Sequence, residues 1–272
     1  MDLDFTETEI NRYSRHILLR EVGGTGQAKL RTASVLVIGA GGLGSPLALY
    51  LAAAGVGRIG IVDDDVVELS NLQRQIAHGV ADLGQPKADS AAAAMIAINP
   101  GVTVETHRTR LTPANALELI AGYDIVCDGT DNFPTRFLVA DSCLLARRTL
   151  VSAAVLRFEG QLSVFRPHRG GPCYRCLYPE PPPDGLVPSC GEAGVLGAVT
   201  GVMGTLQATE VLKEILGIGE TLAGRLLIWD ALATRFRTIR LPADPSCRAC
   251  GPNATLADLS GHEAAEALSC GL

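Results

Sequence analysis

The sequence contains no run of lysine and arginine residues, and its formal net charge at pH 7 is −6. An acidic chain of this kind argues against non-specific binding to nucleic acid. Residues 1–16 are acidic and polar, so they lack the basic and apolar segments of a secretory signal. The most apolar uncharged stretch, residues 193–209, is interrupted by Gly, Thr and Gln, which predicts a buried helix rather than a membrane span. We therefore expect a cytoplasmic protein that has neither nucleic acid nor a membrane as its partner.

No linker and no internal repeat divide the 272 residues. The hydrophobic fraction is 47% and the charged fraction is 19%, which is sufficient for a sizeable buried core. We predict an amino-terminal helix and arm over residues 1–30, one large domain over residues 31–251, and a polar tail over residues 252–272.

The first half of the large domain has the order of elements that is typical of an α/β fold. Ser34–Ile38 is a short β-branched run that leads into a glycine-rich turn. A helical pattern over residues 45–54 and a second strand over residues 59–62 follow it. Helices and strands then continue to alternate up to residue 149, which indicates a Rossmann-like, mostly parallel sheet with helices on both faces.

The rhythm changes after Thr149, where strands follow one another without an intervening helix. One pair of strand patterns covers residues 150–156 and 160–165, and a second pair covers residues 225–229 and 235–241. We therefore predict that antiparallel strands continue the sheet.

The glycine-rich turn is a G-x-G-x-x-G motif formed by Gly39, Gly41 and Gly44 between a strand and a helix. Such a turn lets backbone N–H groups approach phosphates at a helix N-terminus. Asp63 ends the second strand, where a carboxylate can bind ribose hydroxyls. The motif predicts a bound nucleotide, and by itself it fits NAD as well as ATP.

The charged residues that follow favour ATP. Arg74 and Lys87 come shortly after the second strand, Arg15 lies in the amino-terminal arm, and Asp131 comes just after another strand. A triphosphate needs several cations, and its Mg²⁺ needs a carboxylate. A dehydrogenase has little use for such a set of phosphate ligands.

Two C-x-x-C pairs predict a structural metal site. The four thiols of Cys173, Cys176, Cys247 and Cys250 match a closed tetrahedral site for Zn²⁺. The alternative is a redox dithiol, which is disfavoured because neither pair opens a helix directly after a strand. We expect about one zinc ion per chain, without a role in the chemistry.

Five segments together resemble the ubiquitin-activating-enzyme-like family, in its MoeB/ThiF branch. They are R-Y-S-R-H, G-A-G-G-L-G, D-D-D-V-V-E-L-S-N-L-Q-R-Q, G-Q-P-K and D-G-T-D-N-F, in this order. The similarity runs from about Arg12 to Gly251, so it implies that residues 31–251 form an adenylation domain of the ThiF/MoeB type.

The resemblance also implies a role for individual residues. Gly42 and the surrounding loop would contact ATP, Asp63 would hold the ribose, and Asp131, beside Asn132, would coordinate Mg²⁺. Arg15 would reach the phosphates of the partner subunit in a homodimer. The residues implied in phosphate binding or in lining the same turn are Ser70, Asn71, Leu72, Gln73, Arg74 and Lys87.

The activity implied by the resemblance is ATP-dependent adenylation of a carboxylate. The substrate would be the C-terminal glycine of a small ubiquitin-like sulfur-carrier protein that ends in Gly-Gly, and pyrophosphate would be released. Molybdopterin (molybdenum cofactor), thiamine, cysteine and tRNA-thiolation pathways all use carriers of this kind. Because several relatives carry a C-terminal rhodanese domain and this sequence ends at Leu272, we expect a separate sulfur donor.

The remaining cysteines divide into a candidate nucleophile and packing residues. Cys190 lies in P-S-C-G before a predicted helix, and in relatives the matching cysteine can form a thioester or a persulfide-type link. An unreactive loop cysteine is the alternative. Cys127 and Cys143 fall on a predicted strand and helix, which favours core packing. Cys270 lies in the tail.

Three other functions compete with the adenylyltransferase. An NAD-dependent oxidoreductase would use the same glycine turn, but the sequence offers it no catalytic acid. A non-enzymatic scaffold would resemble the inactive halves of heterodimeric activating enzymes, which usually lose the phosphate-binding residues that this chain keeps. A tRNA-modifying relative is disfavoured by the acidic isoelectric point of about 5.4.

Overall fold

The structure, a computed structural model, describes residues 4–183, 186 and 193–262. Within this part of the chain, eight strands form one sheet. In chain order they are β1 (Ser34–Ile38), β2 (Arg58–Val62), β3 (Thr103–His107), β4 (Ile125–Asp128), β5 (Thr149–Leu156), β6 (Glu159–Phe165), β7 (Arg225–Asp230) and β8 (Arg235–Arg240).

The strands lie in the order β3-β2-β1-β4-β5-β6-β7-β8. Those from β3 to β5 are parallel, whereas β6, β7 and β8 join as antiparallel neighbours. The predicted α/β class, with a parallel sheet continued by antiparallel strands, is therefore confirmed. Because the chain moves outward from β1 to β3 and then returns to β4, the crevice between β1 and β4 is a topological switch point, where ligands bind in open α/β sheets.

Helices cover both faces of the parallel half of the sheet. They are α1 (Glu7–Ile17), α2 (Gly23–Thr32), α3 (Gly44–Ala54), α4 (Lys87–Ile98), α5 (Pro113–Ala121), α6 (Phe133–Leu145), α7 (Tyr174–Leu177) and α8 (Gly197–Leu216). The alternation along β1 decides which side chain meets which layer, since successive residues of a strand point to opposite faces. Val35 and Val37 pack with α3, α4 and α8, whereas Leu36 and Ile38 pack with α5 and α6.

The helix predicted within the apolar stretch, residues 193–209, lies further along the chain in the structure. It begins at Gly197 and continues to Leu216, and Gly217 ends it in the left-handed conformation with φ of 71°. Among the described residues, no helix is long and apolar enough to cross a membrane.

The tail is partly anchored. Leu259 is buried in the core layer beneath α5 and α6, and His262 donates to, or shares a proton with, Asp141 of α6 at 2.8 Å. Leu259 and His262 therefore hold this segment against the rest of the chain, while most of residues 252–261 are exposed.

Candidate nucleotide site and cysteine cluster

The glycine loop lies at the carboxyl end of β1, at the switch point of the sheet. Gly39 has φ of 92°, a conformation that favours glycine, and its N–H donates to the Val62 carbonyl. Gly44 is the first residue of α3, and a Cβ placed there would lie 1.8 Å from the Gly39 carbonyl oxygen. Both glycines are thus required by the turn itself, and the turn aims the N-terminus of α3 at the crevice.

Asp63 holds this loop from the neighbouring strand. Its Oδ2 accepts a hydrogen bond from the Ala40 N–H at 2.7 Å, and its Oδ1 accepts from the Asp65 N–H at 2.9 Å. Burial raises the pKa of the Asp63 carboxyl above its ordinary value, although both N–H groups and Lys87 act in the opposite direction. The carboxylate is fixed in place beside the crevice, where it can accept from a ribose hydroxyl.

Two cations converge on the same crevice. Lys87, the first residue of α4, is buried and pairs with the exposed Asp65, with 2.7 Å between Nζ and Oδ2. Arg74 donates from its guanidinium to the Ser70 carbonyl at 3.1 Å. Asp65 is open to solvent, so its carboxylate stays hydrated when a phosphate also binds the Lys87 ammonium. Neither the lysine nor the carboxylate is then a buried charge without a partner.

A second loop, residues 128–132, closes the other side of the crevice after β4. The buried Asp128 accepts from both the N–H and the hydroxyl of Thr130, and Arg136 donates to the Thr130 carbonyl. Asp131 follows as an exposed carboxylate that makes no hydrogen bond to any other described residue. Asn132 caps α6 by accepting from the Thr135 N–H at 2.9 Å.

These elements enclose a cavity of about 330 Å³. It is lined by eight of the residues predicted from the sequence, namely Gly39, Gly41, Gly42, Asp63, Arg74, Lys87, Asp131 and Asn132. Five other predicted residues do not line it, namely Gly44, Ser70, Asn71, Leu72 and Gln73. Ser70 and Gln73 are exposed, whereas the buried Asn71 accepts from the Glu68 N–H at 3.1 Å and shapes the turn.

Further lining residues were not predicted as site residues. Gln75 is buried in the wall, and its Oε1 has no hydrogen-bond partner within the described part of the chain. Arg110 and Arg136 add positive charge, and Thr200 of α8 faces Gly42. For Gln75, the one signal in the sequence was its place directly after Arg74, a predicted site residue. Thr200 is distant in sequence, and no local pattern points to it.

Arg15 lies away from this cavity. It is exposed on α1, whose Tyr13 packs on Gly55 and accepts from the Asn99 amide at 2.8 Å. Gly55 and Asn99 follow the C-termini of α3 and α4, which lie at the amino edge of the strands. The structure therefore places α1 at the edge opposite the cavity, and Arg12 donates there to the Ile98 carbonyl.

The four cysteines of the C-x-x-C pairs form one cluster. Sγ of Cys173 lies 3.5 Å from Sγ of Cys247, and Sγ of Cys176 lies 3.4 Å from Sγ of Cys250. All four sulfur atoms lie within 4.8 Å of one another. These separations exceed a disulfide bond and approach the roughly 3.8 Å between thiolates around a tetrahedral Zn²⁺ with Zn–S bonds of about 2.3 Å.

The cluster could hold a zinc ion, and its electrostatics fit one. Burial raises the pKa of the Cys250 thiol to about 11 and also raises the pKa of Cys173, whereas backbone N–H groups of Ala249 and Cys250 help to lower the pKa of Cys247. Several thiolates packed this closely would need a neutralising cation. Cys173 directly precedes α7, and a 3₁₀ turn at Pro167–Arg169 separates it from β6. The arrangement joins α7 to the segment after β8.

Of the other four cysteines, the structure describes two, and neither of these lies in the cavity or the cluster. Cys127 in β4 and Cys143 in α6 are buried in the core, as predicted, and burial raises the pKa of both thiols. Cys190 and Cys270 lie outside the described residues.

A glycine loop at a switch point and cations around one cavity are features of the nucleotide-binding class of α/β proteins, and the four-cysteine cluster could hold a structural metal ion. Residues 13–249 match the ThiF family, and the chain belongs to it. The resemblance predicted from the sequence motifs is thereby confirmed.

Curated relatives agree with this assignment. The chain is 57% identical over 256 residues to "Adenylyltransferase and sulfurtransferase MOCS3" from Bos taurus, covering 94% of this chain and 56% of that one. It is 56% identical over 241 residues to "Probable adenylyltransferase/sulfurtransferase MoeZ" from Mycobacterium tuberculosis, covering 88% and 62%. The chain thus spans somewhat more than half the length of these relatives. It is 49% identical to "Sulfur carrier protein adenylyltransferase" from Thermus thermophilus, covering 98% and 99%.

Solved structures show the same fold. Escherichia coli MccB with MccA-N7isoASN superposes with a TM-score of 0.78 at 22% identity, covering 92% of this chain and 76% of that one. Escherichia coli MccB with ATP gives a TM-score of 0.78 at 23% identity, covering 90% and 75%. At these identities the likeness concerns the fold alone.

Proposed function

We propose that this chain transfers the adenylyl group of ATP to the C-terminal glycine carboxylate of a small ubiquitin-like sulfur-carrier protein that ends in Gly-Gly. The observation that carries the proposal is the single cavity that joins the glycine loop, Arg74, Lys87 and Asp131. The relative from Thermus thermophilus, which this chain matches along almost its whole length, is named for this activity.

The chemistry requires placement rather than covalent catalysis. A carboxylate oxygen of the carrier bonds to the α-phosphorus of ATP, the bond from that phosphorus to the bridging oxygen of pyrophosphate breaks, and pyrophosphate leaves with the electron pair. Lys87 and Arg74 neutralise the charge that develops on the leaving group. No general base is needed, because a carboxylate is already ionised at pH 7.

Asp131 is the residue that fits a magnesium ion. Its carboxylate is exposed at the cavity and makes no bond to any other described side chain, which leaves its oxygens available to a hard cation. Mg²⁺ supplies charge neutralisation of the β- and γ-phosphates when it is bound. Asp63 accepts from the ribose hydroxyls, and the glycine loop directs its N–H groups to the phosphates.

The cation set also separates this proposal from an NAD-dependent oxidoreductase. A dinucleotide carries two phosphates and no leaving group, so Lys87, Arg74 and the free Asp131 carboxylate would have no function in hydride transfer. Direct binding measurements with ATP and with NAD would distinguish the two, and we expect preference for ATP.

The site is completed by a second copy of the chain in this proposal. Arg15 lies at the opposite edge from the cavity of its own chain, so only the Arg15 of a partner subunit can approach the phosphates. Sulfur transfer would follow adenylation, with a separate donor and with Cys190 as the candidate nucleophile. We place these steps in the cytoplasm.

The test is carrier-stimulated exchange between ATP and radioactive pyrophosphate. We expect Lys87→Gln and Asp131→Asn each to lower the exchange rate about 100-fold or more. The first removes a cation that would stabilise the leaving group, and the second removes the carboxylate that would hold Mg²⁺. Glu118→Gln serves as the matched control, because Glu118 is an exposed carboxylate on α5 and does not line the cavity. Exchange at the wild-type rate in both site variants would contradict the proposal.

A further inference from the structure

His78 is a buried side chain between the glycine loop and α4. It is 7% exposed and does not line the cavity. Its Nε2 lies 2.9 Å from the Ala40 carbonyl oxygen, and its Nδ1 lies 2.8 Å from the hydroxyl of Ser90 on α4. The ring thus bridges a loop that meets the nucleotide and a helix that carries Lys87.

The partners of His78 fix which nitrogen carries the proton. A carbonyl oxygen can only accept, so Nε2 must be the donor, and Nδ1 of the neutral ring must accept from the Ser90 hydroxyl. Burial lowers the pKa of His78, and Lys87 acts in the same direction, whereas the Ala40 carbonyl, Asp63 and Asp82 raise it without reversing the net direction. The ring is therefore neutral at pH 7, as this arrangement requires.

Ala40 is held at both of its polar backbone groups. Its N–H donates to Asp63, and its carbonyl accepts from His78. Gly39, Gly41 and Gly42 surround it, and glycine loses more conformational freedom on ordering than any other residue. Two side-chain bonds at Ala40 therefore order a loop that would otherwise have to be ordered by the nucleotide itself.

We propose that His78 is a positioning residue for the nucleotide, which fixes the glycine loop through the Ala40 carbonyl without touching the substrate. This inference rests on the proposed ATP-dependent function and deepens it. Loss of the bond leaves a buried carbonyl unsatisfied and lets the loop sample other conformations, so ATP must select the ordered one and binds more weakly.

Two substitutions test the hydrogen bonds of the two ring nitrogens separately. In His78→Gln, the side-chain amide nitrogen reaches the place of Nε2 and can still donate to Ala40, while the acceptor for Ser90 is lost. In His78→Asn, the amide oxygen takes the place of Nδ1 and can still accept from Ser90, while the donor to Ala40 is lost. Each variant loses one of the two hydrogen bonds. If His78 were purely structural, both variants would therefore show the same ATP affinity and the same thermal midpoint.

The experiment measures the dissociation constant for ATP by calorimetry, the KM and kcat of pyrophosphate exchange, and the thermal midpoint of each variant. We expect ATP affinity within about twofold of wild type in His78→Gln and about tenfold weaker in His78→Asn, as for the loss of one hydrogen bond of about 1.4 kcal/mol. The expected change lies in KM, with kcat nearly constant and with similar thermal midpoints for the two variants. His78→Phe, which also lacks the donor, replaces His78→Asn if that variant does not fold.

Equal ATP affinity in His78→Gln and in the donor-free variant would overturn the inference, whether both bind like wild type or both bind more weakly. Absence of exchange in a wild-type protein that binds ATP would contradict the proposed function alone, and the comparison of dissociation constants would still decide the role of His78. Failure of the wild-type protein to bind ATP would contradict both.

Discussion

At the scale of single residues, Asp63 combines a proposed role in binding the ribose with an unfavourable effect of its buried charge on the stability of the folded state. Its carboxylate accepts two backbone N–H groups, yet burial raises its pKa above the ordinary value. For an acid whose pKa is raised in the folded state, the folded state binds the proton more tightly. The resulting stabilisation is present at low pH and is lost as the pH rises through the pKa of the folded state.

We expect Asp63→Asn to weaken ATP binding about tenfold to a hundredfold, because a charged acceptor for the ribose is lost. The free energy of unfolding at pH 7 should fall by no more than about 1–3 kcal/mol, because the amide leaves one of the two backbone N–H groups without its acceptor while the substitution also removes a poorly solvated charge. Urea unfolding of both proteins between pH 4 and pH 7, a range that covers a carboxyl group with a raised pKa, measures the difference between their free energies of unfolding. The wild type should lose stability relative to the variant as the pH rises. A variant that binds ATP normally but is strongly destabilised at pH 7 would show that Asp63 is only structural.

Residues at the ends of strands could be predicted from the sequence, whereas residues that act through the tertiary structure could not. Asp63 directly follows β2, and Asp131 lies in the loop after β4, so the rule for ligand sites in α/β sheets applies to both. His78 and Thr200 reach the glycine loop from elements that only the folded chain brings near it. Burial of a polar side chain, which reveals His78 and Gln75, is not visible in one sequence.

At the scale of elements, the four-cysteine cluster connects α7 to the segment after β8. We expect about one zinc ion per chain in purified protein, and a Cys247→Ser variant should retain less than roughly half of it and unfold at a lower temperature. Cys143→Ala is the control, because it also removes a thiol and lowers stability through a core cavity but should keep its zinc. Elemental analysis and thermal unfolding measure both. A fully folded wild-type protein that contains no metal would contradict the assignment.

The bounds of elements could be predicted where the local signals are strong. The strand over Ser34–Ile38 has the predicted bounds, because a glycine turn ends it. The helix over Lys87–Ile98 likewise ends at a local stop signal, Asn99-Pro100. The helix over Gly197–Leu216 was placed too early because apolar composition alone gives no start. Its end at Gly217, a left-handed C-terminal glycine, was a local signal that could have been used.

At the scale of the whole molecule, the proposed site requires two chains. Arg15 and the cavity lie at opposite edges of the sheet, so one chain cannot supply both. We expect Arg15→Ala and Lys87→Gln to be nearly inactive separately. Because a mixed dimer holds one site with both residues intact, co-refolding the two variants in equal amounts should restore about one quarter of wild-type exchange. No recovery in a mixture that contains mixed dimers would contradict the shared site.

The central claim is that a carboxylate of a carrier protein receives the adenylyl group of ATP. The most direct measurement is intact mass spectrometry of a Gly-Gly-ended carrier after incubation with this chain, ATP and Mg²⁺, alongside a carrier that lacks the two glycines. We expect the full carrier to gain the mass of one adenylyl group and the truncated carrier to stay unchanged. A carrier that stays unmodified while the protein binds ATP, or equal modification of both carriers, would contradict it.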